Sequence, residues 1–223
     1  MTGRGRSRGT KSHEDVRGQL LQATLPHVVF DGWSERALKA GAGDAGIDPA
    51  VGQNAFPGGA AEMIEFFSSD IDRQLLERLG SQDLAAMKVR QRIATAVRTR
   101  LDLLAPHREA VRRGLVFLAL PRNAALGLQC LYRTVDAIWY AAGDTATDYN
   151  FYSKRILLAG VYSATLLFWL NDSSKGFAGT WAFLDRRIAE ALKVGGTLGR
   201  TMTRLLDLPD RIFAGGPGFW RRS

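Results

Sequence analysis

The chain has little of what disulfide scaffolds and metalloproteins are built from. Among 223 residues there is one cysteine, Cys130, so no internal disulfide can form and a reducing compartment fits. The three histidines, His13, His27 and His107, are scattered and offer no metal-ligand spacing. No apolar run reaches the ~20 residues that span a bilayer. The longest, residues 156–170, has 15 and is expected to form a buried helix of a soluble or peripheral protein. The start, MTGRGRSRGTKS, lacks the apolar segment of a secretory signal. It reads as a disordered basic tail or as the remnant of an organelle-targeting segment. Catalytic signatures are missing too: there is no G-x-S-x-G elbow, no phosphate-cradling glycine loop and no Cys–His pairing with supporting context. Glu62 and Glu65 share a helix face, but a di-iron bundle needs Glu-x-x-His motifs, and none occurs. A non-enzyme without metal or cofactor is the expectation.

What is present is helical periodicity. The composition, 46% hydrophobic and 23% charged, suits a globular core. A first helix is expected over 14–25 with Val16, Leu20 and Ala23 on one face, and Ser12 as its N-cap. Ser34 caps a second, and Asp48 a third that opens on Pro49. A fourth follows Phe56-Pro57-Gly58 and aligns Met63, Phe67, Ile71 and Leu75. Residues 83–104 repeat the pattern, Pro106 and Pro121 each start a helix, and a long one is expected over 147–170. Thr180 is placed as the cap of TWAFLDRRIAEALKV. The units are a basic tail over 1–12, a helix-turn-helix-like lobe over 13–79, a helical body over 80–195 and a basic amphipathic tail over 196–223. This all-α layout resembles that of TetR-type regulators.

The segment GIDPAVGQNAFPGG has the shape of a helix-turn-helix corner, yet its charge is wrong for DNA. Residues 41–72 contain no lysine or arginine and six acids: Asp44, Asp48, Glu62, Glu65, Asp70 and Asp72. That stretch is −6, against a chain total of +8. Phosphate contacts from cations supply most non-specific DNA affinity. The third helix offers only Gln53 and Asn54 as base readers, and Arg36 and Lys39 on the second do not offset six acids. No nucleic-acid partner is expected. The positive charge gathers instead at the far end, where Arg200, Met202, Arg204, Leu205, Phe213 and Trp220 interleave basic and apolar side chains. That pattern suits a membrane surface, with apolar groups at the acyl boundary and cations at anionic headgroups. An ordinary packed helix with a frayed end is the alternative.

Three stretches carry a family resemblance: LPHVVFDGWSERALKAGAGDAGID, WYAAGDTATDYNFYSKR and NDSSKGFAGTWAFLDRRI. They resemble the ubiquinone-biosynthesis accessory family, the ninth of the coenzyme Q biosynthesis proteins, over residues 14–194. The resemblance implies a TetR-like fold that has lost DNA binding and binds lipid. It implies a hydrophobic pocket for an isoprenoid, including ubiquinone intermediates, with a phospholipid as another possible occupant. It also implies a surface patch that docks the demethoxyubiquinone hydroxylase, and work at a membrane face. The short tail after Val194 departs from the separate membrane helix of mitochondrial members. A bacterial member at the cytoplasmic face of the inner membrane is therefore expected, with the mitochondrial matrix face as the alternative. A homodimer is plausible for such a fold.

Candidate residues follow. Leu158, Tyr162, Leu166 and Trp169 keep helical spacing, as do Trp181, Leu184 and Ile188; they are assigned to the lipid site, although such stripes also serve as plain core. Trp139, Tyr140, Asp144, Asp148, Tyr152, Lys154 and Arg155 combine aromatics with a charged rim, the make-up of a docking hot spot. Capping by the aspartates and core packing by Trp139 would explain the same residues. Trp139 and Tyr140 lie about 100° apart on a helix, so one can be buried while the other faces out.

Overall fold

A computed structural model describes residues 13–143 and 150–206, with backbone only for 150, 151 and 194–206. The described residues form helices α1 (His13–Asp31), α2 (Glu35–Asp44), α3 (Pro49–Ala55), α4 (Gly59–Gly80), α5 (Val89–Leu104), α6 (Arg108–Leu118), α7 (Ala124–Ala141), α8 (Asn150–Trp169) and α9 (Ala178–Leu206). No strand occurs among them. The main packings are α1 on α2, α4 on α7 and α8 on α9.

The N-terminal caps are as the sequence indicates. Ser34 Oγ accepts from the Ala37 N–H at 3.2 Å, and Asp48 Oδ1 from the Ala50 N–H at 2.8 Å. On α4 the expected stripe of Met63, Phe67, Ile71 and Leu75 is buried. Ser12 lies outside the described residues.

Several boundaries differ, each for a physical reason. α1 runs through Pro26 to Asp31 instead of stopping near 25. Pro26 and Gln22 are both exposed, so the carbonyl that the ring leaves without a partner faces water. α5 starts at Val89 rather than 83, because Arg92 takes up the carbonyls of the preceding loop. Its Nε donates to Met87 O at 2.9 Å and its Nη2 to Ala85 O at 3.0 Å. Thr180 lies inside α9 instead of capping it. There Asp172 Oδ2 accepts from the Thr180 backbone N–H at 2.8 Å and from its hydroxyl at 2.6 Å. α9 continues past Gly195-Gly196 to Leu206, so the first part of the stretch set apart as a tail over 196–223 extends the same helix. α8 is not wholly buried: Ile156 and Leu167 are exposed on it.

Close approach is needed where α1 meets α2. A Cβ on Gly41 would stand 2.4 Å from Thr24 Oγ1 and 2.7 Å from Thr24 backbone atoms, so only glycine allows this packing. Arginines of α6 close the C-terminus of α8. Arg108 Nη2 donates to Trp169 O at 2.5 Å and to Asp172 O at 2.7 Å, and Arg112 donates to Leu170 O. They satisfy carbonyls that a helix end leaves orphaned and place cations at the negative end of its dipole.

One buried polar cluster joins four helices. Arg100 of α5 donates through Nε to Asp72 Oδ1 of α4 at 2.8 Å, and through Nη2 to Thr134 Oγ1 of α7 at 3.0 Å and Ser68 Oγ of α4 at 3.2 Å. Its Nη1 donates to the Tyr162 hydroxyl of α8. Thr134 Oγ1 in turn donates to Asp72.

Two outcomes follow. Asp72→Ala leaves the Arg100 guanidinium buried without its counter-charge, and such a break costs about 3–5 kcal/mol; a denaturant midpoint well below that of the parent checks it. Asp172 is the second case. The Thr180 and Ser174 donors hold its carboxyl well below the ordinary carboxylate range. A depressed folded value gives stability that is present above the unfolded value near pH ~4 and lost as pH falls further. Asp172→Asn should therefore melt below the parent at pH 7, and the gap should narrow progressively as both are titrated below pH ~4.

Candidate functional site

Between α4, α5, α6, α7 and α8 lies a cavity of about 490 Å³. Ligand pockets typically run to roughly 300–1,000 Å³. Its inner wall is built from Trp33, Ile64, Phe67, Leu104, Val111 and Leu166, all buried. Trp33 is held there by its Nε1–H, which donates to Ala110 O at 2.9 Å, and by Phe67, whose ring centroid is 5.6 Å away. The cavity exists because small residues line α6 and the start of α7: Ala110, Gly114, Ala119, Ala124 and Gly127. Large side chains there would fill it. The exposed lining residues Leu128 and Leu167 mark its opening to solvent.

The wall is not uniformly apolar. Ser68, Arg100, Thr134 and Tyr162 line it, and Asp72 stands behind Arg100. Burial works against the Arg100 charge, but the Tyr162 hydroxyl and Asp72 outweigh it and raise Arg100 above the ordinary arginine range. Burial also pushes the Tyr162 hydroxyl up, so it stays protonated at neutral pH. Cys130 lines the cavity too, and burial, with Glu65 nearby, pushes its thiol up. A thiol held protonated is a poor nucleophile.

Of the residues assigned to the lipid site, Tyr162 and Leu166 line the cavity. Leu158, Trp169, Leu184 and Ile188 belong to the buried core and are not part of the cavity wall. Trp181 is half-buried, with its Nε1–H on Gly176 O at 2.8 Å and Arg98 over its ring at 5.2 Å. Sequence reasoning missed Trp33, the α6 residues and Leu128 with Leu131 on α7. The available signal was the run of alanines and glycines on faces that are otherwise bulky.

The aromatic patch divides. Trp139 is buried, with Lys154 Nζ 5.6 Å from its ring centroid, while Tyr140 is 74% and Tyr152 69% exposed. Arg155 is buried against Asp136, Nη2 to Oδ1 at 2.6 Å. Asp144 and Asp148 lie outside the described residues. So do Phe213 and Trp220; Arg200, Met202, Arg204 and Leu205 lie on the α9 backbone, their side chains undescribed.

The Glu62 and Glu65 pair is spent on ion pairs, to Arg17 at 2.7 Å and Arg133 at 2.6 Å. No cluster of metal-ligating side chains occurs among the described residues. Nor is any single described helix long and apolar enough to cross a membrane; α5 and α6 with α7 reach that hydropathy only as a pair bent by 101°. On α3, Gln53 donates to Glu35 at 2.6 Å, while Asp31 and Glu35 pair with Arg36 and Lys39 of α2.

The backbone is similar to a solved TetR transcriptional regulator from Nitrosomonas europaea, at 19% identity and a TM-score of 0.66, over 79% of this chain and 98% of that one. This likeness shows the fold. The family model COQ9 matches residues 124–195, which hold α7, α8 and the start of α9. Ubiquinone biosynthesis protein COQ9 of Rattus norvegicus, named as mitochondrial, is 36% identical over 84% of this chain. The chain spans 62% of that relative's length. The Homo sapiens protein of the same name is 34% identical over 84% of this chain and 61% of its own length. COQ9-B of Xenopus laevis is 32% identical over 92% of this chain and 71% of its own length. With likeness of that extent reaching from the N-terminal lobe through the cavity helices, the chain belongs to the COQ9 family.

Proposed function

We propose that this protein acts in ubiquinone biosynthesis as a non-catalytic carrier. It holds an isoprenoid quinone intermediate in the cavity and presents it at a membrane face to the pathway's hydroxylase. The observation that carries the reading is the cavity: mostly apolar, open at one side, and lined by residues of α4 to α8. An apolar ligand there gains about 25 cal/mol for each Å² removed from water. The names of the relatives supply the pathway and favour a mitochondrial location over a bacterial one, and the inner-membrane face is part of the proposal. The exposed Tyr140 and Tyr152 beside the Arg155–Asp136 pair are the proposed docking patch, and the basic, apolar end of the chain the proposed membrane contact. A second copy of the chain is the proposed dimer partner. A regulator's role is not favoured, because α3 has no cation and those of α2 are paired with acids.

The test is organic extraction of protein purified without lipid-like detergent, with mass spectrometry of the extract. A demethoxylated quinone or ubiquinone at a sizeable mole fraction is expected. An empty extract from folded protein sinks the carrier reading and leaves a scaffold that only docks. Leu128→Glu puts a charge at the exposed opening without touching the core. It should retain the parent's melting temperature and lose most of the copurifying lipid. Separately, Tyr140→Ala on the exposed patch should weaken hydroxylase binding measured by calorimetry about tenfold or more, as hot-spot truncations do, while leaving the extracted lipid unchanged.

A further inference from the structure

The cavity is polarised. At its opening stand Leu128, 68% exposed, and Leu167, 57% exposed. At its depth stand Arg100, Thr134 and Tyr162, each less than 5% exposed. A lipid that entered tail-first would press hydrocarbon against these polar groups and leave its head among leucines.

The hydrogen bonds in the deep cluster are not complete. Tyr162 oxygen accepts from Arg100 Nη1, and no acceptor for its own proton occurs among the described residues. A buried O–H without an acceptor costs free energy. Since the cluster forms part of the cavity wall, an acceptor on a bound ligand would satisfy it. Donation from a guanidinium polarises the hydroxyl and makes it a stronger donor in turn.

The cluster also selects by charge. Asp72 already answers Arg100 at 2.8 Å. An anionic head would have to shed its water with no free counter-charge to meet it, and an ammonium head would find the acid behind the arginine. A neutral acceptor fits.

Resting on the carrier reading, we infer that Tyr162 hydrogen-bonds a neutral carbonyl oxygen of a quinone-type ring bound head-first at the depth of the cavity, with the isoprenoid tail leaving past Leu128 and Leu167. The volume, about 490 Å³, suits a ring and the first part of a tail.

The experiment uses three probes with the full chain: a benzoquinone bearing a two-isoprene tail, a hydrocarbon of the same tail length, and a short-chain phosphatidic acid. The wild-type protein should bind the quinone severalfold more tightly than either other probe. One quinone C=O stretch should move to lower wavenumber on binding in the infrared difference spectrum. Tyr162→Phe should weaken the quinone about 2- to 10-fold, the range of one hydrogen bond. It should abolish the infrared shift and leave hydrocarbon affinity unchanged. Equal quinone and hydrocarbon affinity, a shift that survives in the variant, or preference for phosphatidic acid would each overturn the inference while the carrier reading stands. Failure of all three probes to bind overturns both. The wild-type spectrum decides the question even where the variant does not fold, since an unshifted carbonyl is incompatible with the bond.

Discussion

The Asp72–Arg100 pair is the constraint around which the bundle is arranged. Burying two charges is costly, and their mutual attraction compensates only when geometry is good and the remaining donors are satisfied. Here Asp72 and Ser68 come from α4, Arg100 from α5, Thr134 from α7 and Tyr162 from α8, so the buried guanidinium keeps its partners only when four helices hold one register. An apolar core tolerates small slips at modest cost, whereas this cluster does not, because a slip leaves an unpaired charge. The same cluster places polar groups in the wall of an otherwise apolar cavity, so the device that fixes the helices also shapes the site.

The N-terminal lobe shows a related use of charge. Counted along the chain, residues 41–72 form an acidic block that repels DNA. In the structure most of those acids are bound to cations from elsewhere. Glu62 meets Arg17, Glu65 meets Arg133, Asp70 meets Arg73 at 2.5 Å and Asp72 meets Arg100 at 2.8 Å, and Asp44 is hydrogen-bonded to the His27 ring at 2.7 Å. Asp48 caps α3. The repulsion is therefore weaker than the count. On α3 the one long polar side chain, Gln53, is tied to Glu35 and so is not free to read a base edge. The helix-turn-helix shape persists with its acids drawn into ion pairs and caps.

Helix order and the α2 and α3 caps were legible because they depend on local signals: Ser34, Asp48-Pro49 and the 3–4 spacing of α4. The stops at Pro26 and before Val89 were misjudged because water and Arg92 supply partners that no local rule anticipates. The site was legible only in part. Tyr162 and Leu166 lie on the cavity wall, but Trp169 and Leu184, chosen by the same periodicity, are buried in the core away from it. Spacing tells which side chains face inward; it does not tell whether they meet another helix or a void. The void is set by what is small, such as Gly114 and Gly127, and by partners distant in sequence, such as Trp33 on Ala110.

The proposed lipid opening and the proposed docking patch are separated along the same pair of helices. Leu128 and Leu167 stand together at the opening, and Thr134 and Tyr162 at the depth, so α7 and α8 run antiparallel. Tyr140 and Tyr152 lie at the opposite ends of those helices. At 1.5 Å per residue, Tyr140 is about 18 Å along α7 from Leu128, and Tyr152 about 22 Å along α8 from Leu167. A partner bound at the tyrosines would therefore not sit on the opening, and the lipid would have to travel between them. The deep cluster lies roughly midway, with the Trp139 and Arg155–Asp136 contacts between it and the tyrosines. Docking that moved Trp139 or Arg155 would act directly on the helices that carry Thr134 and Tyr162.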